Sequence, residues 1–255
     1  MEVSLAAETI GHIGSLPITN SMATSWIAAI ILIVGAYFGG RNLKKIPKGI
    51  QNVAELIVEM LFGLIDSVFL DRKKTAKYFP YLMTIFLFIV TNNWLGLVPG
   101  VGSIGFTEHG LFVPIFRAGN ADVNTTMALA ILTVFVIQIF GSAALGVGKY
   151  ASKFFNFKNP ILFFVGILEL ISELSRIISF SFRLFGNVFA GEVLLTMITS
   201  LLPYVGPVPF YFLEVLVGLI QALVFTILAT VFVSLAIEDH SEHEAEHEPV
   251  PVPAS

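Results

Sequence analysis

The chain has 255 residues and no cysteine. A disulfide framework and a thiolate metal site are therefore excluded. Charge is scarce as well: Asp, Glu, Lys and Arg together make up 13% of the sequence, about half the usual quarter of a soluble domain. A water-soluble globule of this size needs more charge to cover its surface. Also missing are a Walker loop, a dinucleotide fingerprint, metal-ligand spacing inside an apolar run and a nucleophile elbow. What is abundant is apolar: 56% of residues are hydrophobic and the mean hydropathy is +0.86. That excess argues against disorder for most of the chain. It leaves an all-α integral membrane protein, long enough for several spans of ~20 residues each.

The net charge of −4 conceals the pattern that matters. Six acids (Glu238, Asp239, Glu242, Glu244, Glu246, Glu248) lie in the last eighteen residues, without Lys or Arg. Without that tail, 14 basic residues face 12 acids. The basic residues come in blocks: Arg41, Lys44, Lys45 and Lys48; Arg72, Lys73, Lys74 and Lys77; Lys149, Lys153 and Lys158. Only Arg117, Arg176 and Arg183 stand outside them. Blocks of this kind mark inside loops. Residues 1–20 carry Glu2 and Glu8 but no basic residue, so a signal-peptide n-region is lacking. The first apolar run reads as a retained helix with its N-terminus outside.

The spans expected are 21–39, 78–97 and 124–147. Residues 49–70 form an amphipathic segment whose Asn52, Glu55, Glu59 and Asp66 share one face at about 100° per residue. Three acids across a bilayer would be costly, so an interfacial helix between two basic blocks is expected. The loop 101–123 has one basic residue and is expected outside. After Pro160 no proline occurs until Pro203. As one helix, 159–202 would reach about 66 Å, twice a ~30 Å bilayer core. Two readings fit: two spans with a hidden break, or one long tilted helix. Pro203, Gly206, Pro207 and Pro209 make a turn, and a last span covers 210–237. His240, His243 and His247 lie among acids in a tail that reads as solvated and disordered.

The segment 159–202 carries Glu169, Glu173, Arg176, Arg183 and Glu192. On a helical wheel Glu169, Glu173, Arg176, Arg183 and Asn187 share a face, and Glu192 points opposite to Arg183. Glu169, Glu173 and Arg176 can satisfy one another or lie in the inside headgroup layer. Arg183 has no carboxylate three or four residues away. An unpaired Arg at mid-membrane costs at least ~2.5 kcal/mol, so it asks for a partner from another helix or another chain. In the last span Glu214 and Gln221 are seven apart and share a face. A hairpin through 203–209 returns that face toward 183–192. The carboxylates, amide and guanidinium would then line one polar path, with Glu192 and Glu214 as proton carriers. Both acids could instead sit in the outer headgroups.

At these residues the sequence resembles a known family. Arg183-Leu184-Phe185-Gly186-Asn187-Val188-Phe189-Ala190-Gly191-Glu192 is similar to the signature of subunit a of F-type ATP synthases. So are Thr91-Asn92-Asn93-Trp94-Leu95-Gly96-Leu97-Val98-Pro99-Gly100, Ala121-Asp122-Val123-Asn124-Thr125-Thr126, Gln221-Ala222, and Ser234-Leu235-Ala236-Ile237-Glu238. The resemblance runs from about residue 20 to 238. It implies a non-catalytic stator subunit beside a rotating ring of c-subunits, held by peripheral-stalk b subunits in the bilayer. Two offset aqueous half-channels would lead protons to the ring, with Na⁺ as the other candidate ion.

Arg183 matches the family's essential arginine, and Asn187, Glu192, Glu214 and Gln221 match its auxiliary polar positions. Glu169, Glu173 and Arg176 are candidates for the inner half-channel. The position of Glu214 is histidine in some relatives. No cofactor, metal or nucleic acid is implied. The fold expected has about five spans, one interfacial helix and a C-terminal hairpin of two long tilted helices. Residues 21–238 would form one membrane domain, between an outside segment 1–20 and an inside tail 239–255. The alternative is a stand-alone ion-coupled secondary transporter, but that predicts inverted repeats, which the sequence lacks.

Overall fold

In lipid an isolated apolar segment can satisfy its backbone only as a helix, and helices dominate the computed structural model. It describes residues 7–14, 16–41, 44, 47–98, 105–108, 111–154 and 160–238. The acidic tail 239–255 with its histidines lies outside the described residues, as do Lys45, Lys158 and the Pro99-Gly100 pair. The helices are α1 (Asn20–Arg41), α2 (Ile50–Phe69), α3 (Arg72–Gly96), α4 (Val123–Leu145), α5 (Val147–Phe154), α6 (Pro160–Leu201) and α7 (Pro207–Ile237). Of these α1, α3, α4 and α7 are long and apolar enough to cross a membrane. The protein is an all-α, multi-pass membrane protein.

The structure decides the ambiguity at 159–202. Helix α6 runs unbroken for 42 residues, about 63 Å at 1.5 Å per residue. No hidden break divides it. Helix α7 begins at Pro207 rather than at 210, because proline suits the first turn, where its missing N–H leaves no bond unmade.

Three further features differ from expectation. Helix α3 starts six residues before 78, inside the basic block. The Asp71 carboxylate caps it, accepting from the Lys73 N–H at 2.8 Å and the Lys74 N–H at 3.4 Å. Helix α5 occupies what reads as loop, after Gly146 turns the chain at φ 86°. Two small antiparallel hairpins flank the helices: β1 (Thr9–Ile13) with β2 (Leu16–Thr19), and β3 (Gly105–Glu108) with β4 (Leu111–Pro114). Strands of four or five residues are too short to reveal an alternating pattern.

The core joins Leu82, Ile85, Phe86 and Ile89 of α3 to Ala130, Val134 and Ile137 of α4. It continues to Phe180 and Leu184 of α6 and Ala222, Phe225 and Val233 of α7. Helix α2 adds Leu61, Ile65 and Phe69. Helices α6 and α7 pack antiparallel: Arg176 lies against Phe232, Phe180 against Phe225, and Asn187 against Gln221. The outward face of α1 carries Trp26, Ile30, Ile33 and Phe38, each more than half exposed. In water such a face would promote aggregation; in lipid it matches its surroundings.

Both hairpins lie at one end of the bundle, where Asn20 Nδ2 reaches the Pro114 carbonyl at 3.4 Å. Helix α5 lies at the other end, its Tyr150 ring crowding Gly141 of α4 beside the Ala236 carbonyl of α7.

Candidate functional site

Arg183 projects from an open stripe of α6. Phe182, Arg183, Gly186, Asn187 and Ala190 are all exposed. Its Nη2 donates to Ser179 Oγ, one turn earlier, at 3.2 Å. Among the described residues it makes no ion pair. Asn187 Nδ2 donates to Gln221 Oε1 at 2.5 Å, which ties α6 to α7 just beyond the arginine. Gln221 is buried, and its Nε2 has no hydrogen-bond partner among the described residues.

A cavity of about 180 Å³ lies toward the hairpin end, and both Glu192 and Glu214 line it. Asn93, Arg117, Tyr211 and Gly218 complete its polar and narrow parts. Glu214 rests directly on Gly191: a Cβ there would come within 2.0 Å of the Glu214 carboxylate. Only glycine leaves room for that carboxylate between the helices. Glu192 is held from the other side. Arg117 Nε donates to both of its carboxylate oxygens at 3.1 Å, and Nη2 lies 3.1 Å from Oε2.

A second cavity, of about 320 Å³, lies on the opposite side of Arg183 along α6. Ser172, Ser175, Arg176, Ser179 and Arg183 line it, with Phe232. Arg176 pairs with Glu173 at 2.5 Å and approaches Glu169 at 4.0 Å. Its guanidinium also stacks 4.5 Å over the Phe232 ring. Arg176 thus gathers both carboxylates at this end of α6. Nearby, burial pushes the Tyr150 hydroxyl up to about 12, with Glu173 and Glu169 adding to the effect. It stays protonated and donates to Gln138 Oε1.

The sequence motif at 91–100 has a structural task, carried by Asn92, Asn93 and Trp94. Asn120 Nδ2 donates to Asn93 Oδ1 at 2.7 Å, and Asn93 Nδ2 donates to the Gly218 carbonyl at 2.9 Å. Ser25 Oγ donates to Asn92 Oδ1 at 3.0 Å, and Trp94 Nε1 to the Val215 carbonyl at 3.2 Å. These bonds fix α1, the 115–122 loop and α7 around the end of α3.

A profile of the family described as ATP synthase A chain matches residues 22–234. The chain is 33% identical over 231 residues to ATP synthase subunit a of Moorella thermoacetica, an alignment covering 91% of this chain and 96% of that one. The chain belongs to the ATP synthase subunit a family. A subunit a of Bradyrhizobium sp. is 33% identical over 233 residues, covering 91% of this chain and 95% of its own. The subunit a of Gloeobacter violaceus is 34% identical over 224 residues, covering 88% and 86%. Subunit a is a non-catalytic, ion-translocating stator component, so the stand-alone transporter has no support.

Against the sequence reading, the geometry brings Asn187 to Gln221 and Glu192 to the cavity of Glu214. Arg183 lines the other cavity. The residue missed is Arg117. Its one sequence signal is that it is the sole basic residue of the 101–123 loop. Its partner stands 75 positions away.

Proposed function

We propose that this subunit a carries protons between two half-channels and the carboxylates of a rotating c-ring, with Arg183 separating the two. The observation that carries the reading is the position of Arg183. It stands on an open helix face without a carboxylate partner among the described residues, at the edge of one cavity and along α6 from a second that shares no lining residue with the first. The cavity at Glu192 and Glu214 corresponds to the outer half-channel. The cavity at Ser172, Ser175 and Arg176, with Glu169 and Glu173 behind it, corresponds to the inner one. Asn187 and Gln221 hold the seam between α6 and α7 beside the arginine.

The mechanism follows from charge. The missing partner of Arg183 is a ring carboxylate, which the guanidinium attracts in its ionised form. A proton from the outer cavity then neutralises that carboxylate and lets it enter lipid. Arginine does not deprotonate in a protein, so Arg183 also blocks a direct leak between the cavities. The driving force is ~2.3 kcal/mol per charge per 100 mV. Na⁺ would use the same route if the ring bound it.

The topology belongs to the same proposal. Helices α1, α3, α4, α6 and α7 span the membrane, α6 and α7 as a tilted hairpin, and α2 lies in the inner interface. Residues 1–20 and 101–123 face outside. Residues 40–77, 148–158 and 238–255 face the cytoplasm of a bacterial plasma membrane. The basic blocks support this orientation. The c-ring and the peripheral-stalk b subunits are the expected partners.

The test is proton-driven ATP synthesis in membranes carrying Arg183→Ala. We expect it to be lost at normal assembly. Arg183→Lys should fail too, because lysine lacks the planar fork and sheds its proton when buried. Normal synthesis by Arg183→Ala would end this reading.

A further inference from the structure

We propose that Arg117 is a positioning residue for the outer path: from a rigid loop it holds the Glu192 carboxylate at the cavity wall. The inference rests on the reading of Glu192 as a member of that path. Arg117 is only 7% exposed, and a buried guanidinium requires a counter-charge. Glu192 supplies one: Nε donates to both of its oxygens at 3.1 Å, and Nη2 adds an ion-pair contact 3.1 Å from Oε2, so the planar guanidinium edge centres the carboxylate. Yet Glu192 is not sealed. Its side chain is 31% exposed, and it borders the cavity that also holds Glu214. One side of the carboxylate meets the guanidinium and the other stays open to the cavity.

The direction of the dependence follows from how the loop is anchored. Ala118 packs into Gly96, Gly119 against Asn92 and Ser25, and Asn120 bonds to Asn93. Asp122 caps α4, and Pro114 accepts from Asn20. With these contacts on both flanks, the loop does not depend on the ion pair for its place. The flexible partner is Glu192, a side chain of three rotatable bonds on a helix surface. The loop therefore places the arginine, and the arginine places the carboxylate.

The test uses whole ATP synthase in membrane vesicles, with imposed-gradient ATP synthesis and ATP-driven proton pumping as readouts. The amount of this chain in the purified complex reports assembly. Arg117→Gln should slow flux roughly tenfold or more, the scale on which a misplaced functional group costs rate. Glu192→Gln should slow it as well, and the double change should be no slower than the slower single. Multiplying losses at normal assembly would assign Arg117 to structure and overturn the inference. If Arg117→Gln does not assemble, Arg117→Lys decides. One ammonium keeps the charge but not the fixed planar N–H that spans both oxygens, so partial flux at full assembly is expected and unchanged flux overturns the proposal. Full flux in Glu192→Gln would remove Glu192 from the path and this inference with it. Slow flux in Glu192→Gln beside full flux in Arg117→Gln would sink this inference alone.

Discussion

Gly96 and Gly191 both permit close approach, yet they should respond differently to a methyl group. At Gly96 the added Cβ would lie 2.3 Å from Ala118 Cβ and 2.8 Å from its Cα. The backbone of the anchored loop cannot step aside, so Gly96→Ala should destabilise by about 1–3 kcal/mol through overpacking. At Gly191 the clash is with the far end of the Glu214 side chain, which can swing away. Gly191→Ala should therefore assemble normally and carry protons more slowly. Quantifying the chain in purified complexes beside vesicle proton flux checks both; equal loss of assembly in the two variants would contradict the distinction. Single residues were legible in the sequence where chemistry conflicted with context. Arg183 and Glu192 stand out because charge in an apolar helix is costly. Arg117 did not, because an arginine in a polar loop conflicts with nothing until the fold brings Glu192 beside it.

The helices themselves follow from hydropathy, and their ends follow from local chemistry that hydropathy does not register. Asp71 moves the start of α3 into a basic block, and Pro207 starts α7 early. The continuity of α6 was undecided in sequence because an uninterrupted apolar pattern is equally consistent with a buried break; the structure supplies one helix. Orientation is a separate matter, and the cysteine-free chain makes it testable. Single cysteines introduced at 12, 107, 74, 151 and 238 would be treated with an impermeant thiol reagent on intact cells. Positions 12 and 107 should label, and 74, 151 and 238 should label only after the membrane is opened. Labelling of 238 from outside would require an even number of crossings and contradict the proposed topology.

At the scale of the molecule, the two cavities and the open stripe are consequences of how α6 leans on its neighbours. Toward the hairpin end α6 packs on α7 and the 115–122 loop, where Glu214 is buried and Glu192 borders the cavity. Toward the other end Arg176, Glu173 and Glu169 are gathered near α5. Between them α6 presents Arg183, Gly186, Asn187 and Ala190 outward. The small residues Gly186 and Ala190 would let a neighbouring helix approach the guanidinium closely. The sequence reading separated Glu169, Glu173 and Arg176 from Glu192 and Glu214, but not what each group packs against, since a helical wheel places residues around one helix but not the neighbour each will meet.

The central claim is that this face of α6 meets the ring helix bearing the ion-binding carboxylate. It is tested most directly by pairing Gly186→Cys or Ala190→Cys with a cysteine placed beside that carboxylate. A Cβ at Gly186 meets nothing within 4 Å, so the substitution is sterically free. Oxidation should link the two subunits from 186 and 190, and not from Ile33→Cys on the lipid-facing side of α1. A link from position 33 with none from 186 or 190 would contradict the account.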